Sequence, residues 1–159
     1  MNYEELLIEA EKQGIEILES DRIGELKGLY IDNIIVINSK IETSSEKLCI
    51  LAEEIGHHYK TIGNILDQSN VSNIKQERIA RAWGYEKLVS LESIIKAYKN
   101  GIRNKYELAE FLEVTEEFLE DAIKHYQRKH GLYCKVHNFY IYFNPLLVLE
   151  TLDYNFKCD

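Results

Sequence analysis

The sequence predicts a mostly helical α+β fold of 159 residues. Three observations carry that reading. Apolar residues recur at helical spacing over most of the chain. Pro145 is the sole proline, so few positions interrupt a helix. Two short stretches, 15–38 and 132–144, instead show strand-like apolar runs broken by turn residues. The expected order is a helix, a small N-terminal antiparallel sheet, three helices, a C-terminal helix-turn-helix-like pair and a β-hairpin. Residues 1–100 read as one unit and 101–159 as a C-terminal module.

Each element has a local cause. Tyr3, Leu6, Leu7 and Ala10 form one apolar stripe, and Gly14 ends that helix. "IEIL" at 15–18 is a strand, and "LKGLYIDNIIVIN" is two strands around the turn pair Asp32-Asn33. Thr43 and Glu46 have capping-box spacing for a helix over about 45–60. A polar loop, "TIGNILDQSNVSN", separates it from a helix over about 73–89. Ser90 caps the next helix, which ends at Asn100-Gly101. Asn104 and Thr115 are N-caps of two further helices, and Gly131 stops the second. "LYCKVHNFYIYFNP" is a hairpin turning at His137-Asn138.

Composition narrows the function classes. Hydrophobic residues make up 45% and charged residues 29%, enough for a core without staples. Cys49, Cys134 and Cys158 are odd in number and scattered, which suits a reducing cytoplasm better than a disulfide framework. No apolar run has membrane-spanning length, and the acidic start is unlike a signal peptide. A net charge of −8 opposes broad nucleic-acid binding and favours a protein or peptide partner.

The chemistry concentrates in "LAEEIGHHYKTIGN", residues 51–64. On a helix, Leu48, Leu51, Ala52, Ile55 and Tyr59 make a core stripe, while Glu53 and His57 stack on the opposite face. Glu54 and His58 form a second pair on a flank. One reading is a solvated face of i, i+4 pairs. The other is a metal cleft, because carboxylate oxygen and imidazole nitrogen both bind Zn²⁺. Glu54 would then stand beside the first ligand, placed to take a proton from water. The candidate third ligand is Glu77 in "KQERIARAWGYEKLV", whose alternative is a solvated pair with Arg81. Ala80 and Gly84 share the face of Glu77 and would let the two helices approach closely.

"CILAEEIGHHYKTIGNI" and "KQERIARAWGYEKLV", continued by "KYELAEFLEVTEEFLEDAIKHY" and "YIYFNPL", resemble the ImmA/IrrE family of metallopeptidases. The likeness is narrower still to ImmA-like anti-repressors of phages and integrative elements, and it runs from about residue 30 onward. The resemblance implies a zincin-like metallopeptidase domain, here over residues 1–100. It implies metal ligands at Glu53, His57 and Glu77, with Glu54 as general base, an EExxH variant of the H-E-x-x-H pattern. Glu53 stands where the family pattern begins with His, so the donor set has two carboxylates and one imidazole. That set suits one divalent ion, Zn²⁺ first, with greater tolerance for Mn²⁺. His58 is an alternative nitrogen donor, and Tyr59 and Tyr85 are candidate oxyanion helpers or core aromatics.

The implied activity is metal-dependent cleavage of a helix-turn-helix repressor of a phage or integrative element, or binding of that repressor without cleavage. An edge of the 15–38 sheet would hold the substrate as an added strand. The "ELAEFLEVTEEFLEDAI" pair has the register of a DNA-binding helix-turn-helix, with Glu113 at the turn where Gly is usual. Its charge argues against DNA: residues 105–130 hold four Lys/Arg against seven Asp/Glu. Protein contact is the expected use of this module.

Overall fold

The computed structural model describes residues 1–64 and 73–151. Helix α1 (Tyr3–Lys12) opens the chain, followed by β1 (Glu16–Glu19), β2 (Gly28–Ile31) and β3 (Ile34–Ile37). Then come α2 (Ser44–Asn64), α3 (Asn73–Leu88) and α4 (Leu91–Lys99). The last part is α5 (Lys105–Leu112), α6 (Glu116–His130), β4 (Tyr133–Val136), β5 (Phe139–Phe143) and β6 (Leu146–Glu150). α2 runs to Asn64, four residues past its expected end, and residues 65–72 of the expected loop lie outside the described residues. Among the described residues, no helix is long and apolar enough to cross a membrane.

The caps follow the sequence. Asn104 and Thr115 accept backbone N–H groups of Glu107 and Phe118. Thr43 accepts from the Glu46 backbone, but the Glu46 carboxylate leaves the expected capping box and pairs with Lys27 at 2.7 Å. Glu113 takes the left-handed conformation, φ 58°, between α5 and α6. Asp32 and Asn33 both have positive φ, as a two-residue hairpin turn of this twist requires.

Two expectations need correction. The first sheet is mixed, not antiparallel: its order is β1-β3-β2, and β1 runs parallel to β3. The physical reason is burial. β3 is the all-apolar strand, and its Ile35 and Ile37 are fully enclosed, so it takes the central place. Residues 20–27 carry the chain across to the far edge, where β2 returns antiparallel to β3. The C-terminal hairpin, in turn, is a three-stranded meander, because β6 pairs with β5 from Phe139–Glu150 to Phe143–Leu146.

The buried side chains form one cluster drawn from α1, both sheets and α2 to α6. Leu48, Leu51, Ala52 and Ile55 of α2 sit at its centre. The α2–α3 contact is unusually close. A methyl group on Gly56 would lie 2.1 Å from the Ala80 carbonyl oxygen, closer than any real contact. A methyl group on Gly84 would instead meet Ala52 across the same seam at ordinary van der Waals distance, 3.4 Å.

These two glycines predict opposite signs for one substitution. In a helix, Gly→Ala ordinarily stabilises by about 0.5–1 kcal/mol. Gly84→Ala should follow that rule. Gly56→Ala should instead destabilise by about 3 kcal/mol, since a backbone carbonyl must move. Urea unfolding of both variants checks this, and equal midpoints would refute the close-packing account.

Candidate metal centre

The α2–α3 seam brings the chemistry together. One ligand-type atom from each of Glu53, His57 and Glu77 lies within 4.8 Å of the others. It is the one such group of three among the described residues. Glu53 and His57 come from successive turns of α2, and Glu77 from the first half of α3. The side chains are partly exposed, on a shoulder open to solvent.

The donor set fits a divalent ion. His57 Nε2 and Glu77 Oε2 are 3.6 Å apart. Ligands at about 2.0–2.2 Å from a tetrahedral ion sit roughly 3.4 Å from one another, so this pair already has the required spacing. A Glu53 carboxylate oxygen lies within 4.8 Å of both. The carboxylates also share a cation from the protein itself. Arg81 Nε donates to Glu53 Oε1 at 2.9 Å and to Glu77 Oε1 at 3.2 Å. Glu77 thus pairs with Arg81 at i+4 and also lies beside Glu53 and His57. The Arg81–Glu53 bond spans two helices and had no local signal.

Glu54 lies on the flank of α2 toward β2. Burial foremost, then the nearby Glu53 and Glu77 carboxylates, lifts its carboxyl to about 7. Gly28 in β2 makes room for it: a methyl group there would lie 2.7 Å from Glu54 Oε1 and 2.6 Å from Ile50 Cγ2. Sequence reasoning missed Gly28, since a glycine at a strand end has many local explanations.

His58 does not join the three-residue group. It is buried, and its Nδ1 lies 3.0 Å from the hydroxyl of Tyr30 in β2. Burial lowers its basicity. The roughly 100° step between neighbouring helix positions separates it from His57 and turns it to the sheet. Tyr59 donates to the Gln13 side chain and packs on Trp83 and His58, away from the carboxylates. Tyr85 is buried, with its ring against Phe118 and His125. Both act as core aromatics. Cys49, one turn before Glu53, is a core residue whose thiol burial pushes up to about 11.

The Arg81 bridge predicts a measurable competition. A guanidinium on two donor carboxylates repels an incoming divalent ion, even with solvent screening. Arg81→Ala should therefore tighten Zn²⁺ binding by about tenfold, which is about 1.4 kcal/mol. Titration against a competing chelator measures it. Weaker binding would instead make Arg81 an organiser of the donors.

A family model described as the IrrE N-terminal-like domain, Peptidase_M78, matches residues 10–124. No curated protein and no solved structure matches the chain. The matched span is more than half of the chain and includes Glu53, Glu54, His57, Glu77 and Arg81. The family indicates a metallopeptidase or anti-repressor role, with which a Glu-His-Glu cluster is compatible. With that match added to the geometry of the α2–α3 seam, the chain belongs to the ImmA/IrrE family of M78 peptidases.

Proposed function

We propose that the chain is a metal-dependent endopeptidase that cleaves a helix-turn-helix repressor of a phage or integrative element, and so acts as an anti-repressor. The observation that carries this reading is the convergence of Glu53, His57 and Glu77 beside Glu54, under an edge strand. Glu53, His57 and Glu77 would hold one divalent ion, Zn²⁺ or Mn²⁺. Such an ion supplies electrophilic activation of a peptide carbonyl and of water.

The chain's own groups do the rest. Glu54 accepts a proton from the attacking water and passes it to the departing amine, which needs a carboxyl that changes state near neutral pH. β2 is an edge of the first sheet, and Gly28 brings it against Glu54. An extended substrate segment pairing with that edge would lie next to the proton acceptor. His58 and Tyr30 tie β2 to α2 at the same place and keep the edge at a set height above the site.

One observation favours a second reading, repressor binding without cleavage. Arg81 already offsets part of the charge of the two donor carboxylates, which lowers their pull on a divalent ion. Direct DNA contact by α5 and α6 has weaker support. Their acidic N-terminal turns would face phosphate.

The test combines metal analysis with cleavage of a candidate helix-turn-helix repressor from the same phage or integrative element. Glu54→Gln should lower cleavage by about 10²–10⁴-fold while leaving divalent-ion affinity within a few-fold. Glu53→Ala should weaken ion binding by at least about tenfold, within the usual cost of losing a metal-site group. Cleavage that survives Glu54→Gln would remove Glu54 from the mechanism. Ion-independent repressor binding without cleavage would establish the second reading.

A further inference from the structure

The seam between α3 and α6 carries a second feature. A groove of about 460 Å³ runs along it, lined by Lys75, Arg78, Arg81, His125, Arg128 and the single acid Asp121, among others. The groove shares Arg81, Tyr85 and Asp121 with the hollow that reaches Glu53, so the two are continuous. In a chain of net charge −8, this is a local inversion of sign.

Most cations of α6 are already engaged. Lys124 pairs with Asp121, and Lys129 pairs with Glu86 at 2.6 Å. His125 also meets Glu86, at 2.8 Å, and these contacts clamp α6 to α3 and fix the groove walls. Lys75, Arg78 and Arg128 differ. Among the described residues none of them has a carboxylate within ion-pair distance, and all three are exposed. Lys75, Arg78 and Arg81 follow one another at i, i+3 and i+6 on α3, and Arg128 faces them from α6. Of the α6 cations, Arg128 alone joins this row.

We propose that the α3–α6 groove binds an acidic, extended segment of the protein substrate and leads it toward the Glu53–His57–Glu77 site. This rests on the peptidase or repressor-binding reading above and names the chemistry that the partner must carry. Separate Asp and Glu side chains can each meet a guanidinium, with two parallel hydrogen bonds where geometry allows. A nucleic acid fits less well. Its regular phosphates would also meet Asp121 in the groove and Glu53 and Glu117 in the adjoining hollow. Spaced carboxylates can avoid those acids.

The probe is a pool of fluorescein-labelled ten-residue peptides with Glu fixed at alternate positions. A matched pool has Gln at those positions, and a single-stranded DNA of similar length is the third probe. Binding to the full-length Glu54→Gln chain is read by anisotropy at low and at moderate salt. The acidic pool should bind at least about tenfold more tightly than the Gln pool and lose that margin as salt rises. Arg78→Glu combined with Arg128→Glu should remove the preference, and Arg78→Gln with Arg128→Gln should reduce it. Zn²⁺ titration of both variants should match the parent. Equal affinity for the two pools, preference unchanged in the Glu variant, or tighter binding of DNA than of the acidic pool would each overturn the groove assignment. Failure of the parent chain to bind any divalent ion would instead count against the peptidase reading and leave the groove result standing.

Discussion

Gly56 has no side chain, and for that reason the Ala80 carbonyl can lie against α2. The candidate site depends on this contact. Glu77 sits one turn before Ala80 on α3, and His57 follows Gly56 on α2. With the helix axes a side chain's width further apart, Glu77 would not come within 3.6 Å of His57. Helices pack at about 8–10 Å, set by the residues at the crossing, and small residues give the low end of that range. The apolar stripe of α2 supplies the driving force on the other side. Leu48, Leu51, Ala52 and Ile55 are buried in the core, and α2 packs on α1, α3 and the first sheet. One helix thus carries core on one face and chemistry on the other.

That arrangement concentrates negative charge. Glu53, Glu54 and Glu77 crowd one shoulder with a single imidazole among them. Two responses are visible. Glu54, the most enclosed of the three, holds its proton up to about pH 7, so part of the charge is absent in acid. Arg81 spans the other two with its guanidinium. The same residue opens the row of cations along α3, so the sign of the surface changes over one or two helical turns. A donor set facing a cationic groove is an asymmetric environment.

The first sheet is linked to this centre by contacts too specific for a general packing role. Gly28 permits β2 to touch Glu54, and Tyr30 meets His58 one turn further along α2. β2 is therefore held by two points on the helix that bears the candidate ligands, and it remains a sheet edge. β3 takes the centre because it alone of the three strands carries buried residues, Ile35 and Ile37. The mixed order follows from that competition for burial, which a strand-by-strand reading of sequence does not include.

The sequence by itself determined the local elements. Caps at Ser90, Asn104 and Thr115, the turn at Asp32-Asn33 and the 3.6-residue stripe of α2 are short-range effects, so the residues that cause them are neighbours in the chain. It also determined that Glu53 and His57 share a face, since both lie on one helix. Their meeting with Glu77 was visible only as a possibility, through Ala80 and Gly84. Tertiary structure decided what depends on distant partners. It placed β1 parallel to β3, gave His58 to Tyr30, set Arg81 between two helices, and assembled a basic groove from Lys75, Arg78 and Arg128. Charges and edge strands are satisfied by whatever the packed core brings within a few ångströms, and that is a property of the whole chain's burial and not of any one segment.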